Sequence, residues 1–420
     1  MNRSDQLRVQ RAKREYVDGT VLTCALILSA LGILMVFSIT GTSIFNNQAG
    51  DRLIYMTHSA TSVMLGIVGM GMAAFIPNRW YRGRLAFLIF LITAVIFIIT
   101  PILGRDTLAS PGVQRWLEIG PIVFQAVDLA RIGFVISLAW MIHLLIEKRM
   151  YYSSKLWSSY LIPLIYVFVC TFTVIRQPDL GSAFVILGTG IIVFLSSGLA
   201  VKQIMVLLLM ASTLAGSVAV FGVYAFNNLE AYQVTRIAVW LDPFNHDLGL
   251  QSVMGFVSIA LGGWFGVGLG KSTQALGFAI EPHTDLIVTI LAEELGFIAV
   301  LIVMILYFSI AVRCFLTSLR ARDVFSALVC IGVGAFFLLQ PFVNLGGASG
   351  IIPLSGVALP LISYGMTNKI STFIMIGIYF NMRRHILLTE AIAVCADKKA
   401  DLEREEKLKK KVVQFPKVVN

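Results

Sequence analysis

Several ionisable groups fall inside or beside long apolar runs, where a charge is expensive and is kept for a reason. Asp285 comes first. It opens an apolar run in EPHTDLIVTILAEELG, at a boundary where reduced dielectric lifts a carboxyl toward the range of a general base. The position equally suits an Asp that only stabilises a helix N-terminus. His283, two residues earlier, titrates near neutrality, though a lone His serves structure as readily. Glu293 and Glu294 follow two turns deeper. Adjacent residues point in different directions around a helix, so at least one needs a buried partner or a water-filled cavity. Two readings follow: a proton or substrate pathway, or a structural pair with an arginine such as Arg131. Asp128 and Arg131, in FQAVDLAR, stand three apart on one helix face, with Gln125 just before them. That spacing favours an ion-pair cluster at the start of a helix. Asp179, in RQPDLG, suits an N-cap. Trp116, in GVQRWLEIG, suits an outward amphipathic stretch, where its flat face can meet a sugar ring or prenyl chain. No Walker-type Gly-rich loop and no metal-ligand spacing is present, which removes nucleotide-driven chemistry.

Ten apolar runs position these groups, at roughly 20–40, 57–77, 85–104, 129–146, 157–175, 182–198, 204–226, 286–312, 324–346 and 366–382. Each is close to the ~20 residues a helix needs to cross a bilayer. The expectation is an all-α integral membrane protein with about ten transmembrane helices. With the N-terminus inside, most of the 33 Lys and Arg fall in cytoplasmic loops and tails, so both termini are cytoplasmic. The chain divides into a tail at 1–19, a membrane domain at 20–382 and a charged tail at 383–420. A large extracytoplasmic loop, about 227–285, joins helices seven and eight, and shorter outward segments cover about 105–128 and 347–365. Long loops in compact proteins tend to carry function. Within the large loop, GFVSIALGGWFGVGLG is too short and Gly-rich to span, and suits an interfacial or re-entrant segment. The last tail, DKKADLEREEKLKKK, reads as a solvated juxtamembrane helix, with anionic lipid or a cytoplasmic partner as the sharper alternative.

Composition agrees. Hydrophobic types make up 57% of the 420 residues and charged types 13%, with mean hydropathy +0.84, too little charge to coat a soluble protein of this size. The net charge of +10 follows the topology, so nucleic acid is not an expected partner. The five cysteines fit no zinc site, and none is expected in an exported loop. The first apolar run lacks a small-residue cleavage site and reads as a retained helix. No strong internal repeat supports an inverted-repeat transporter.

Six segments together carry a resemblance: GVQRWLEIG, FQAVDLAR, RQPDLGSA, GGWFGVGLGKSTQ, EPHTDLIVTILAEELGFI and NLGGASGIIPLSGVALPLISYG. In this order, on a chain of this topology, they resemble the SEDS family (shape, elongation, division and sporulation), the FtsW and RodA type of peptidoglycan polymerase. The resemblance implies that Asp285, in the His-Thr-Asp motif, is the catalytic carboxylate and that Trp116 matters for function. It maps the Gln-Pro-Asp-Leu-Gly motif onto Gln177 to Gly181, and the Leu-Pro-x-Ile-Ser-Tyr-Gly motif onto Leu359 to Gly365, which brings in Ser363 and Tyr364. The chain also departs from the pattern. The family usually has Gln-Pro-Ser-Glu-x-x-Lys where this chain runs from Gln125 to Arg131, and Gly-Ser-Ser where Met366-Thr367-Asn368 stand. The Gly-Val-Gly-Leu-Gly run with Lys271 and Ser272 looks closer to FtsW, the division member.

The resemblance implies lipid II as substrate, extension of an undecaprenyl-linked glycan, and release of undecaprenyl pyrophosphate, in septal wall synthesis at the bacterial inner membrane. Inversion at the sugar then needs a base on the acceptor hydroxyl. The leaving pyrophosphate needs positive charge, for which Arg115, Arg176, Arg236, Lys271 and Lys369 are candidates, with a divalent cation (Mg or Mn) as a possible aid. Implied partners are a class B penicillin-binding protein, the transpeptidase, and other divisome or elongasome membrane proteins. Three other readings stand beside this one. They are a RodA-like elongation polymerase, a lipid II flippase or transporter using Glu293 and Glu294, and a scaffold that only recruits a partner.

Overall fold

The structure is a computed structural model that describes residues 10, 12, 15–42, 49–104, 115–119, 122–147, 158–198, 231–246, 249–273, 286–354 and 356–413. Its helices are α1 (Gly19–Thr42), α2 (Ala49–Phe75), α3 (Asn78–Arg82), α4 (Arg84–Leu103), α5 (Ala126–Glu147), α6 (Ser158–Ile175), α7 (Leu180–Leu195), α8 (Ala231–Leu241), α9 (Leu250–Gly262), α10 (Ile287–Ser318), α11 (Val324–Ala348) and α12 (Met366–Val413). Nine of the ten expected runs become helices; the seventh, 204–226, lies outside the described residues. Six described helices are long and apolar enough to cross a membrane, and α6, α7 and α9 are shorter apolar helices. Helix α12 packs along α2, and α11 lies against α10 and α7. The chain is an all-α multi-pass membrane protein, and its last helix runs unbroken through residue 382 into the charged tail.

Two details refine the sequence reading. The stretch around Trp116, expected only to be outward and amphipathic, is extended. It forms strand β1 (Trp116–Ile119), which pairs antiparallel with β2 (Ile122–Gln125), Trp116 facing Gln125 across the ladder. Strand β2 runs directly into α5, so the hairpin fixes where α5 starts. The second detail is that the 356–365 segment is no simple outward loop. A Cβ on Gly32, midway along α1, would sit 2.6 Å from the Ile362 carbonyl oxygen, so only glycine lets this backbone come so close. Non-helical backbone at that depth has to be held by protein. Here Asn344 Nδ2 donates to the Val357 carbonyl at 2.6 Å, Gln340 Nε2 to that of Ala358 at 2.6 Å, and Tyr307 Oη to that of Pro360.

The cytoplasmic ends are tied by two aspartates. Asp18, 2% exposed, accepts from Arg313 Nη2 at 2.8 Å, from Tyr379 at 3.2 Å and from Arg383, joining α1 to α10 and α12. Asp323 caps α11 through the Ser326 amide and receives Arg82 at 2.7 Å and His385 at 3.5 Å. Burial opposes ionisation of Asp18. The Arg313 hydrogen bond and the Arg383 and Arg313 charges outweigh it and hold its carboxyl below the usual range.

Breaking this cluster should destabilise the fold. After discounting for the 38% exposure of the Arg313 side chain, Asp18→Asn is expected to cost about 2 kcal/mol. Because the folded-state pKa is depressed, the charge contribution is complete above the unfolded value of about 3.9 and disappears as pH falls through the lower folded value. Melting curves in detergent should therefore show wild type and Asp18→Asn converging in strong acid and separating above about pH 4.

Candidate active site

At the end of the bundle opposite these basic clusters lies a cavity of about 270 Å³, walled by the hairpin, the first turns of α5 and α12, the 356–365 segment and α2. Opposite the cytoplasmic cluster means outward by the positive-inside rule. Arg115, Trp116, Gln125, Asp128 and Tyr364 all line it. Trp116 and Gln125 arrive together because the hairpin pairs them. Tyr364 is oriented by an edge-on contact with Tyr55, ring centroids 5.3 Å apart. Arg115 Nη1 reaches the Gly356 carbonyl at 3.5 Å.

Asp128 is held from behind. Arg131 Nη2 lies 3.1 Å from its Oδ1, one turn further along α5. The same guanidinium donates to Gln340 at 2.7 Å and Ser371 at 2.9 Å, and stacks on Phe336 at 4.5 Å. One arginine thus joins α5, α11 and α12 beneath the cavity, as its planar fork allows. Gln340 in turn holds the Ala358 carbonyl of the cavity wall.

Glu293 and Glu294 form a separate cluster, and Arg131 pairs with neither. Glu293, 0% exposed, accepts from Ser258 Oγ at 3.1 Å, Ser272 Oγ at 2.7 Å, and the Thr273 amide and hydroxyl at 2.8 Å each. Glu294 accepts from Ser38 at 2.7 Å and the Gly270 amide at 3.1 Å. Here α10 is broken at Gly296, with φ 82°. The Glu293 and Glu294 carbonyls accept from the Val267 and Gly268 amides, while Phe297 and Ile298 donate to Gly263 and Trp264. A Cβ on Gly296 would lie 2.4 Å from the Trp264 oxygen. The Gly-rich segment is therefore latched into a gap in α10, packed on the bundle as its composition suggested.

The remaining predicted residues lie as follows. Asp179 caps α7, accepting from the Ser182 amide at 3.0 Å and hydroxyl at 2.8 Å. It lies within electrostatic reach of Asp128 and Arg131. Gln177 beside it is fully buried, and among the described residues its amide has no hydrogen-bond partner. Ser363 accepts from the Leu359 amide at 2.8 Å and shapes the re-entrant turn. Lys271 is exposed at the end of the Gly-rich latch, away from the cavity lining. Asp285 and His283 lie outside the described residues; the chain reaches them between Thr273, pinned by Glu293, and the start of α10. Sequence reasoning passed over His58, Ser59 and Ser62, which line the cavity from α2. Their signal was a polar HSATS run in an otherwise apolar span. Among the described residues no group of three or more His, Cys, Asp or Glu side chains is placed to hold a metal ion.

Fold and site together define a multi-pass membrane protein with a polar cavity on its outer face. Comparison with known proteins carries this further. The family model described as "Cell cycle protein", covering FtsW, RodA and SpoVE, matches residues 19–387. An FtsW from Alkalilimnicola ehrlichii, named as a probable peptidoglycan glycosyltransferase, is 32% identical over 87% of this chain and 88% of its own. A like-named FtsW from Geobacter sp. is 27% identical over 88% and 97%. Among solved structures, a chain from a peptidoglycan synthase complex that coordinates polymerization and crosslinking superimposes with TM-score 0.69 at 25% identity, over 88% of this chain and 98% of that one. RodA from Thermus thermophilus shares the fold, with TM-score 0.61 at 22% identity over 87% and 96%. The chain belongs to the FtsW/RodA/SpoVE family of cell cycle proteins.

The latch separates a structural from a proton-relay role for Glu293. Glu293→Ala strands several buried donors and should cost about 3 kcal/mol or more. Glu293→Gln keeps an acceptor for Thr273 and can donate to the serine hydroxyls, so it should keep near-wild-type melting and activity. A Glu293→Gln protein that melts normally but is inactive would contradict the latch assignment.

Proposed function

We propose that this protein extends a lipid-linked glycan with lipid II, using Asp285 as the base and the outer cavity as part of the substrate site. It is a peptidoglycan glycosyltransferase of the bacterial inner membrane, and its relatives named FtsW give it the septal, cell-division role. The observation that carries the reading is the cavity itself. Arg115, Trp116, Gln125, Asp128 and Tyr364 meet at the outer face, where sugars can be held while prenyl tails remain in lipid.

The step is an inverting displacement. The acceptor GlcNAc 4-hydroxyl gives its proton to the Asp285 carboxylate as its oxygen bonds to the donor's anomeric carbon. The bond from that carbon to the phosphate oxygen breaks, and its electron pair leaves with undecaprenyl pyrophosphate. No acid is needed on a leaving group that already carries its charge well, but that charge needs compensation. Trp116 offers a flat apolar face to a sugar, and Gln125 and Tyr364 offer donors and acceptors. Asp128 is engaged by Arg131, which suits it to holding the α5 end of the site rather than taking protons.

A class B penicillin-binding protein is the proposed partner, since the first solved relative above belongs to a complex that couples polymerization to crosslinking. The flippase reading loses its main support, because both glutamates are engaged by the Gly-rich latch. The test is polymerisation of labelled lipid II by the protein with its partner, the partner's own active site inactivated. Asp285→Asn should lower the rate at least ~100-fold, the lower range for loss of a general base. An Asp285→Asn complex that polymerises at the wild-type rate would remove Asp285 from the mechanism.

A further inference from the structure

Lys369 belongs to neither cluster described above. It lies in the first turn of α12 and is 0% exposed. Its Nζ donates to Ser59 Oγ of α2. Among the described residues no carboxylate lies within ion-pair distance of it. An ammonium buried in a membrane protein without a counter-charge is costly and marks a functional position by default. The carboxylates nearest the cavity do not relieve it. Asp128 is paired with Arg131 and feels Arg115, and Asp179 acts on the same Arg131. Among the described residues two carboxylates thus act on two guanidiniums, and Lys369 adds a further buried positive charge next to the cavity lining.

Its partner makes the link. Ser59 is 2% exposed, yet it lines the cavity beside His58, Ser62 and Asn368. A hydroxyl that accepts from an ammonium keeps its own proton to donate, and among the described residues the Ser59 hydroxyl donates to nothing. A donor polarised by a buried cation, on a residue that lines a cavity, suits an anion, and charge-assisted bonds of this kind are the strong ones.

We propose that Ser59 and Lys369 form an anion-binding relay in the cavity floor that holds the pyrophosphate of the lipid-linked sugar donor. Ser59 touches the phosphate. Lys369 is a positioning residue that supplies charge through Ser59, while Arg115 supplies it from the opposite wall. This assignment rests on the glycosyltransferase reading for the identity of the anion.

The test measures binding by the full-length protein in nanodiscs to undecaprenyl pyrophosphate and to undecaprenol, which has the same tail and no phosphate. Wild type should prefer the pyrophosphate by more than about tenfold, the worth of one charge-assisted hydrogen bond. Lys369→Met should lose most of that preference with a melting temperature at or above the wild-type value, since it removes a costly buried charge, Ser59→Ala should lose it while still folding, and Lys369→Arg should recover it. Inorganic pyrophosphate should displace labelled undecaprenyl pyrophosphate from wild type and not from Lys369→Met, which separates headgroup from tail. In the polymerisation assay Lys369→Met should raise KM for lipid II more than it lowers kcat. Unchanged preference in both variants would overturn the proposal. Should Lys369→Met fail to fold, Ser59→Ala decides alone, since it removes only a hydroxyl. A wild type that prefers the pyrophosphate yet makes no polymer would keep the anion site and remove the glycosyltransferase reading instead.

Discussion

Hydrocarbon offers no hydrogen-bond partner, so a polar group this chain carries into the bilayer is costly unless another part of the chain matches it. That constraint organises the whole molecule. Glu293 and Glu294 are matched by serine and threonine hydroxyls and backbone amides of the Gly-rich latch. Arg131 is matched by Asp128, Gln340 and Ser371. The carbonyls of the re-entrant segment are matched by Asn344, Gln340 and Tyr307. Each solution ties together helices far apart in sequence, so satisfying polar groups is also what builds the bundle around its outer cavity.

The same logic separates the two faces. At the cytoplasmic face, aspartates are enclosed by arginines and hold helix ends. Toward the outside the polar groups converge on open space instead. The latch connects the two themes. It pins Thr273 to α10 at Glu293, and the chain that returns to α10 from Thr273 carries Asp285. A buried carboxylate can thereby serve the proposed reaction, by fixing where the segment bearing the proposed base begins.

Much of this was legible in the sequence where the signal is local. Apolar run length located the spans, and the i,i+3 spacing of Asp128 and Arg131 announced their pair. Asp179 before an apolar run announced a cap. What was not legible is non-local. Glu293 and Glu294 were read as either a proton or substrate pathway or a pair with an arginine, but the donors of Glu293 are hydroxyls and an amide 20 to 35 positions away, and Glu294 takes one from Ser38 on the first helix. Nothing in one sequence reports such pairings. The hairpin was missed for another reason. Trp116 to Gln125 reads as amphipathic in either state, and the Gly-Pro pair between the strands was the overlooked cue. The depth of the 356–365 segment was hidden because its close contact is with a glycine in the middle of α1, which hydropathy treats as ordinary.

The central claim is that the outer cavity holds the lipid-linked sugar during polymerisation. Site-specific photo-crosslinking tests it most directly. A photoreactive residue would replace Val123 or Met366, which line the cavity, and in parallel Phe308, exposed on the flank of α10. With labelled lipid II in membranes, the account predicts adducts at Val123 and Met366, little at Phe308, and competition by unlabelled lipid II. Equal labelling at all three positions, or none at the cavity positions in an active protein, would contradict it.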